Sequence, residues 1–120
     1  ANKILEELKN RNDFNFKICS LKINKKQPID SISCSLDISD YKNKSIIIVD
    51  DVLNSGSTLM YAVKYFLDTK ITQLKTVVLV DRNHKKFPIK VDFKGVSLST
   101  AIQNHVEVIF ENDKIEAFLH

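Results

Sequence analysis

Tryptophan is absent from this 120-residue chain, and glycine, proline and cysteine occur only twice each. So little glycine and proline excludes collagen-like and low-complexity designs. It also predicts one compact domain over residues 1–120, with no linker and no internal repeat. Two cysteines, Cys19 and Cys34, are too few for a disulfide framework and match no metal-ligand spacing. They read as reduced structural thiols. No apolar run approaches the ~20 residues that cross a bilayer, and no secretory leader is visible. The expected location is therefore the cytoplasm, with no membrane partner. Charge of either sign is in modest excess at most: 18 basic against 15 acidic residues gives +3. That is too mild to argue nucleic-acid binding by itself. No Lys follows Gly56, so there is no Walker A loop, and no G-x-G-x-x-G occurs.

What is present centres on residues 46–58, Ile-Ile-Ile-Val-Asp-Asp-Val-Leu-Asn-Ser-Gly-Ser-Thr. The run from Ile46 to Val49 has no alternation and predicts a strand covered on both faces. Asp50 and Asp51 follow, then the small-residue loop of Asn54, Ser55, Gly56, Ser57 and Thr58. Beyond it, Leu59, Ala62, Val63, Phe66 and Leu67 form one face of an amphipathic helix. Backbone N–H groups at a helix start favour an anion. Gly56 allows a close approach, and the three hydroxyls add donors. Ionised carboxylates only accept, so Asp50 and Asp51 suit a sugar diol; they also suit an indirectly held Mg²⁺. A phosphate beside a diol is a ribose 5-phosphate. The plain alternative is a βα turn with solvated carboxylates.

Along the chain, residues 1–12 predict a helix that packs on a sheet, through Ile4, Leu5 and Leu8. Residues 14–23 read as one strand, 24–30 as a basic turn, and Ile32, Cys34, Leu36 and Ile38 as the inward face of a second, antiparallel strand. Residues 76–80 make another buried strand, ending at Asp81. Strand, helix and strand give a parallel βαβ unit, with Asp50 and Asp81 at the sheet's C-terminal edge, where open α/β sheets bind ligands. Val91-Asp92-Phe93 reads as a short strand, residues 98–104 as a loop or helical turn, and 106–110 with 115–119 as a terminal hairpin.

The 46–58 stretch resembles the phosphoribosyl pyrophosphate (PRPP) motif of the type I phosphoribosyltransferases: apolar strand, two acidic residues, then a loop ending Thr-Gly-x-Thr, with Ser55 for the first Thr. The run Val80-Asp81-Arg82-Asn83-His84-Lys85-Lys86-Phe87-Pro88-Ile89-Lys90, then Asp92-Phe93-Lys94-Gly95 and Ser99-Thr100, is similar to one branch of that family. That branch is the bifunctional pyrimidine-operon regulators with uracil phosphoribosyltransferase activity. The implied fold is α/β, a Rossmann-like parallel sheet with helices on both faces and a C-terminal hairpin. The family's first core strand precedes the helix that opens this chain. The domain is therefore expected to be N-terminally incomplete, without the strand and loop that bind pyrophosphate.

The resemblance implies roles for single residues. Asp50 and Asp51 would hold the ribose hydroxyls of PRPP, with Mg²⁺ bridging hydroxyls and pyrophosphate. Asn54, Ser55, Gly56, Ser57 and Thr58 would cradle the 5′-phosphate. Phe93 would stack on the base, with Lys94 and Asp81 lining its pocket; the alternatives are core packing for Phe93 and a bond to its own loop for Asp81. His84, Lys85, Lys86 and Lys90 would touch phosphate or RNA, against a solvated basic loop or dimer interface. Asn54 stands where purine-using relatives carry an Asp suited to general-base work, and Asn83 stands where the branch has Gly. The implied reaction displaces pyrophosphate with a base nitrogen, on a pyrimidine such as uracil. A regulator that binds nucleotide or RNA without efficient turnover is the second reading. A phospho-acceptor receiver is the third, and the Ser/Gly/Thr loop argues against it. Tyr61 and Tyr65 suggest an oligomer surface, in a homodimer or larger assembly.

Overall fold

The computed structural model describes residues 1–11, 14–24, 26, 27, 29, 31–99, 101, 103–111 and 114–120. Parts of the expected 24–30 turn, Thr100, and the tip of the terminal hairpin lie outside the described residues. The chain forms two compact units, Ala1–Ile46 with Tyr61–Leu74, and Ile47–Met60 with Lys75–His120.

In the first unit, helix α1 (Asn2–Arg11) forms as its periodicity requires, yet buries no residue fully. Strands β1 (Leu21–Ile23) and β2 (Ile32–Cys34) pair antiparallel, Leu21 opposite Cys34 and Ile23 opposite Ile32. Both are shorter than the alternation predicts, and the reason is local. Ser20 N–H donates to the Ser35 hydroxyl at 2.9 Å instead of to a carbonyl, which ends regular pairing. The Asp40 carboxylate accepts from Asp37 N–H at 3.2 Å and opens helix α2 (Ile38–Tyr41) in the manner of a capping box. Ile38, expected on an inward strand face, is thus an exposed first helical residue. Tyr41 is buried, its ring edge-on to Phe66 at 5.3 Å. Tyr65 also meets Phe66 edge-on. Burial, and then a hydrogen bond with Tyr41, push the Tyr65 hydroxyl up to about 12. Tyr65 is therefore tied to aromatic neighbours of its own unit.

The larger sheet has strands β3 (Ser45–Leu53), β4 (Gln73–Asp81) and β5 (Phe93–Ser97) in that order. Helix α3 (Ser57–Leu67) crosses between the first two. β4 and β5 are parallel, Val77 opposite Phe93 and Asp81 opposite Ser97. Where β3 and β4 end together, Arg82 N–H donates to Leu53 C=O at 3.1 Å. Leu53, Leu59, Val78 and Val91 form a buried cluster, with Ile48 and Ile89 packed against it. Two expectations need correction. β3 runs on through the acidic pair to Leu53, and it is not covered on both faces: Ile47 is 49% exposed. It ends the strand order, with no neighbour on its outer flank among the described residues. β5 begins at Phe93 and not at Val91, because Asp92 turns back onto β4. Its carboxylate accepts from Thr76 N–H at 2.9 Å and Thr76 Oγ1–H at 3.1 Å, and Val91 goes to the core.

The α3 face is buried at Leu59, Ala62 and Phe66, while Leu67 is exposed at the last turn. The terminal hairpin forms as expected from β6 (Val106–Glu111) and β7 (Lys114–Leu119), Val106 opposite Leu119. His105 and His120 extend it with a reciprocal pair of backbone bonds. Gly95 is fixed by space: a Cβ there would lie 2.7 Å from the Leu79 carbonyl oxygen. Backbone gives less readily than a side chain, so Gly95→Ala should lower unfolding free energy by about 1–3 kcal/mol. Urea melts check this, and an unchanged midpoint would refute the close approach.

Candidate functional site

The site grows from the ends of β3 and β4. Asp50 is half-buried and Asp51 exposed, toward the C-terminal end of β3. Their own backbone orients them. Asp51 N–H donates to an Asp50 carboxylate oxygen at 3.0 Å, and Val52 N–H to an Asp51 oxygen at 2.7 Å. Adjacent residues on a strand point to opposite faces, so these local bonds, and not the strand pleat alone, set where the carboxylates sit.

The loop that follows is held from behind. Ser55 C=O accepts two backbone bonds, from Lys86 N–H at 2.8 Å and Phe87 N–H at 3.1 Å. Gly56 has φ +86°, in the left-handed region that side chains other than glycine's rarely enter. A Cβ at Gly56 would lie 2.6 Å from Ile89 Cγ2, so the 82–90 segment lies directly against the glycine. Ser57 N–H meets the Ser55 hydroxyl at 3.3 Å, and Met60 N–H meets Gly56 C=O at 3.0 Å as α3 begins. Carbonyls are thus spent on the protein side, and the start of α3 offers N–H groups and the hydroxyls of Ser57 and Thr58. Helix starts of this composition favour anions.

A second cluster lies where β4 ends. Asp81 is 1% exposed. Its carboxylate accepts from Asn83 N–H at 2.9 Å, so the bond to its own loop is present. It also receives Lys94 Nζ at 3.2 Å and Lys85 Nζ at 3.7 Å. Burial pushes this carboxyl up, but the Asn83 N–H and the Lys94 and Lys85 ammoniums outweigh it, and the net shift is downward. Lys94 Nζ further reaches Ser97 Oγ at 3.3 Å. Phe93 is 61% exposed, so its ring is not packed in the core. Lys85, Lys86 and Lys90 of the basic loop are all exposed, and Lys85 pairs with Asp81. His84 is half-buried.

Three residues of this region escaped the sequence analysis as site elements. Arg82 is 5% exposed, and its guanidinium meets Asn54 Oδ1 at 3.2 Å. Ile89 fills the space over Gly56. Asn83 has φ +58°, which Asn tolerates better than most residues. Its occurrence at a glycine position of the related motif was the available signal, and the left-handed backbone is its cause. Among the described residues no group of three or more His, Cys, Asp or Glu side chains converges as a metal cage. Two carboxylates at the β3 end fit Mg²⁺ only in the way that ion usually binds, with substrate oxygens and water completing its shell.

This arrangement places the chain in a class. The family model "Phosphoribosyl transferase domain" matches residues 1–111, and the chain belongs to that family. It is PyrR-like within it. The Bifunctional protein PyrR of Pediococcus pentosaceus is 32% identical over 129 residues, an alignment that takes in 99% of this chain and 68% of that protein. The PyrR of Limosilactobacillus reuteri is 43% identical over 77 residues, covering 63% of this chain and 43% of that one. A solved hypoxanthine phosphoribosyltransferase from Staphylococcus aureus superposes with TM-score 0.66 at 22% identity, over 84% of this chain and 58% of that one. This last likeness is one of fold.

The Asp81 cluster carries a pH dependence. A carboxyl whose folded pKa is depressed contributes stability above its unfolded value of about 3.9, and loses it as pH falls through the folded value. Asp81→Asn should therefore be less stable than the parent near pH ~7, with the difference closing below pH ~4. Urea midpoints across that range test it; a difference independent of pH would mean that the carboxylate charge is not what the lysines hold.

Proposed function

We propose that this chain is a phosphoribosyltransferase domain that binds PRPP and transfers its phosphoribosyl group to a pyrimidine such as uracil. The observation that carries the reading is the acidic end of β3 running through a donor-rich loop into α3. In this reading the loop from Asn54 to Thr58 takes the 5′-phosphate, and Asp50 and Asp51 accept from the ribose hydroxyls. Phe93 covers one face of the base, and the Lys94–Asp81 pair meets its edge. A base nitrogen attacks the anomeric carbon, the bond to pyrophosphate breaks with its electrons leaving on the pyrophosphate oxygen, and the nitrogen's proton passes to solvent. Mg²⁺, when bound, neutralises the leaving pyrophosphate. The protein's own part is to fix the sugar and to surround a ring that becomes cationic in the transition state with carboxylates. Asn54 cannot take up a proton at neutral pH, which favours a pyrimidine over the purine chemistry that uses an Asp at this place.

A regulatory reading has its own support. The similar proteins are named bifunctional, and Lys86 and Lys90 leave exposed charge on the loop that backs the cradle. RNA contact there would be electrostatic and salt-sensitive. Self-association belongs to the same proposal.

Calorimetric titration with PRPP and Mg²⁺ is the test. Binding is expected, and Asp50→Asn with Asp51→Asn should abolish it, since both diol acceptors weaken together. Unchanged affinity in that double variant would sink the assignment.

A further inference from the structure

Arg82 is a buried cation with acceptors on two separate segments. Its backbone N–H is bonded to Leu53 C=O at 3.1 Å. One end of its guanidinium donates to Asn54 Oδ1 at 3.2 Å. The other donates to Ala101 C=O at 3.4 Å and to Asn104 C=O. Asn54 itself is exposed, at the head of the anion loop. A guanidinium only donates, so the Asn54 atom it meets must be the amide oxygen. That leaves the amide nitrogen, a donor with no acceptor capacity, as the polar atom Asn54 can offer to a ligand. An exposed Asn would otherwise sample both amide orientations and several rotamers, and ordering it on binding costs affinity.

We propose that Arg82 is a positioning residue for the anion loop: acting through Asn54, it fixes the loop head and makes it present a donor to an oxygen of the bound nucleotide. The inference rests on the ribose-phosphate reading of the loop and deepens it. It distinguishes Arg82 from Lys85 and Lys94, which meet Asp81, and from the exposed Lys86 and Lys90. It also gives the buried charge a use at a place where an apolar side chain would fill the same space at lower desolvation cost.

A double-mutant cycle separates this role from a merely structural one. The probe is uridine 5′-monophosphate, titrated calorimetrically, with thermal melts in parallel. Arg82→Gln and Asn54→Ala should each weaken binding roughly tenfold. The double variant should be no weaker than the worse single one, because both remove the same ordered group. Losses that multiply, to roughly a hundredfold, would show Arg82 acting elsewhere and overturn the proposal. Should Arg82→Gln not fold, Asn54→Asp serves: it gives Arg82 a charged partner, so melting temperature should hold or rise, while the outer donor becomes an acceptor and affinity should fall several-fold. Affinity equal to the parent in Asn54→Asp overturns the donor assignment. A parent chain that does not bind the nucleotide overturns the site reading and this proposal together; a parent that binds, with multiplying losses, overturns this proposal alone.

Discussion

An anion loop works only if its carbonyl oxygens are kept away from the anion. In the 54–58 loop proposed to hold one, Ser55 meets that condition, its C=O accepting from both Lys86 N–H and Phe87 N–H. The donors belong to a segment thirty residues downstream, delivered there because β4 runs parallel to β3 and ends beside it. The Arg82 N–H to Leu53 C=O bond marks that shared end. Ile89, three residues past Lys86, then sits where a Gly56 side chain would be. Glycine is required twice over, for its φ and for the absence of a Cβ. Register of the sheet, shape of the loop and direction of its donors are one constraint.

The same edge carries a compact electrostatic arrangement. A carboxylate as buried as that of Asp81 is costly unless ionisation is compensated, and it has a backbone N–H and two ammoniums. Lys85 and Lys94 are in turn paired with it while remaining in reach of solvent. This divides the basic segment into two kinds of lysine: those neutralised at the strand end, and Lys86 and Lys90, whose charge remains outside. Only the second kind can contribute fully to long-range attraction of a polyanion. The four cations that look equivalent in sequence therefore differ in what they can do.

Much of the site was legible because its determinants are contiguous. Acidic pair, small-residue loop and amphipathic helix lie within about twenty residues, and each follows from local chemistry. The parallel strand order was legible too, from two apolar runs separated by a helix. Arg82 was not, because nothing local distinguishes a buried arginine from its neighbours in a basic loop; its burial is set by carbonyls at Ala101 and Asn104. The ends of strands were misjudged where side chains competed with the ladder. Ser35, Asp40 and Asp92 each take a backbone N–H that period-two alternation assigns to pairing. Short polar side chains are the residues able to do this. Ile47 was misjudged for a different reason: an unbroken apolar run reports a strand's composition, and only the strand order reports what covers it.

Where the site lies in the fold sharpens its reading. Residues 50–58 and 81–97 all fall within the unit made of Ile47–Met60 and Lys75–His120. Asp50 and Asp51, the 54–58 loop, the exposed Phe93 and the Asp81 cluster thus belong to the unit whose core is Leu53, Leu59, Val78 and Val91. The two acidic residues and the loop head leave β3 within a few residues of Leu53, the most deeply buried member of that strand. A strand end anchored by a fully buried leucine gives the carboxylates a fixed origin, and their bonds to the next backbone N–H fix their direction. Preorganisation of this kind matters most for a transition state that gains charge on a sugar ring, because the compensating groups need not reorient as the charge appears. Asn54 fits the same logic as a neutral residue: with its amide oxygen on Arg82, the loop head adds polarity without adding a third titrating group beside the acidic pair.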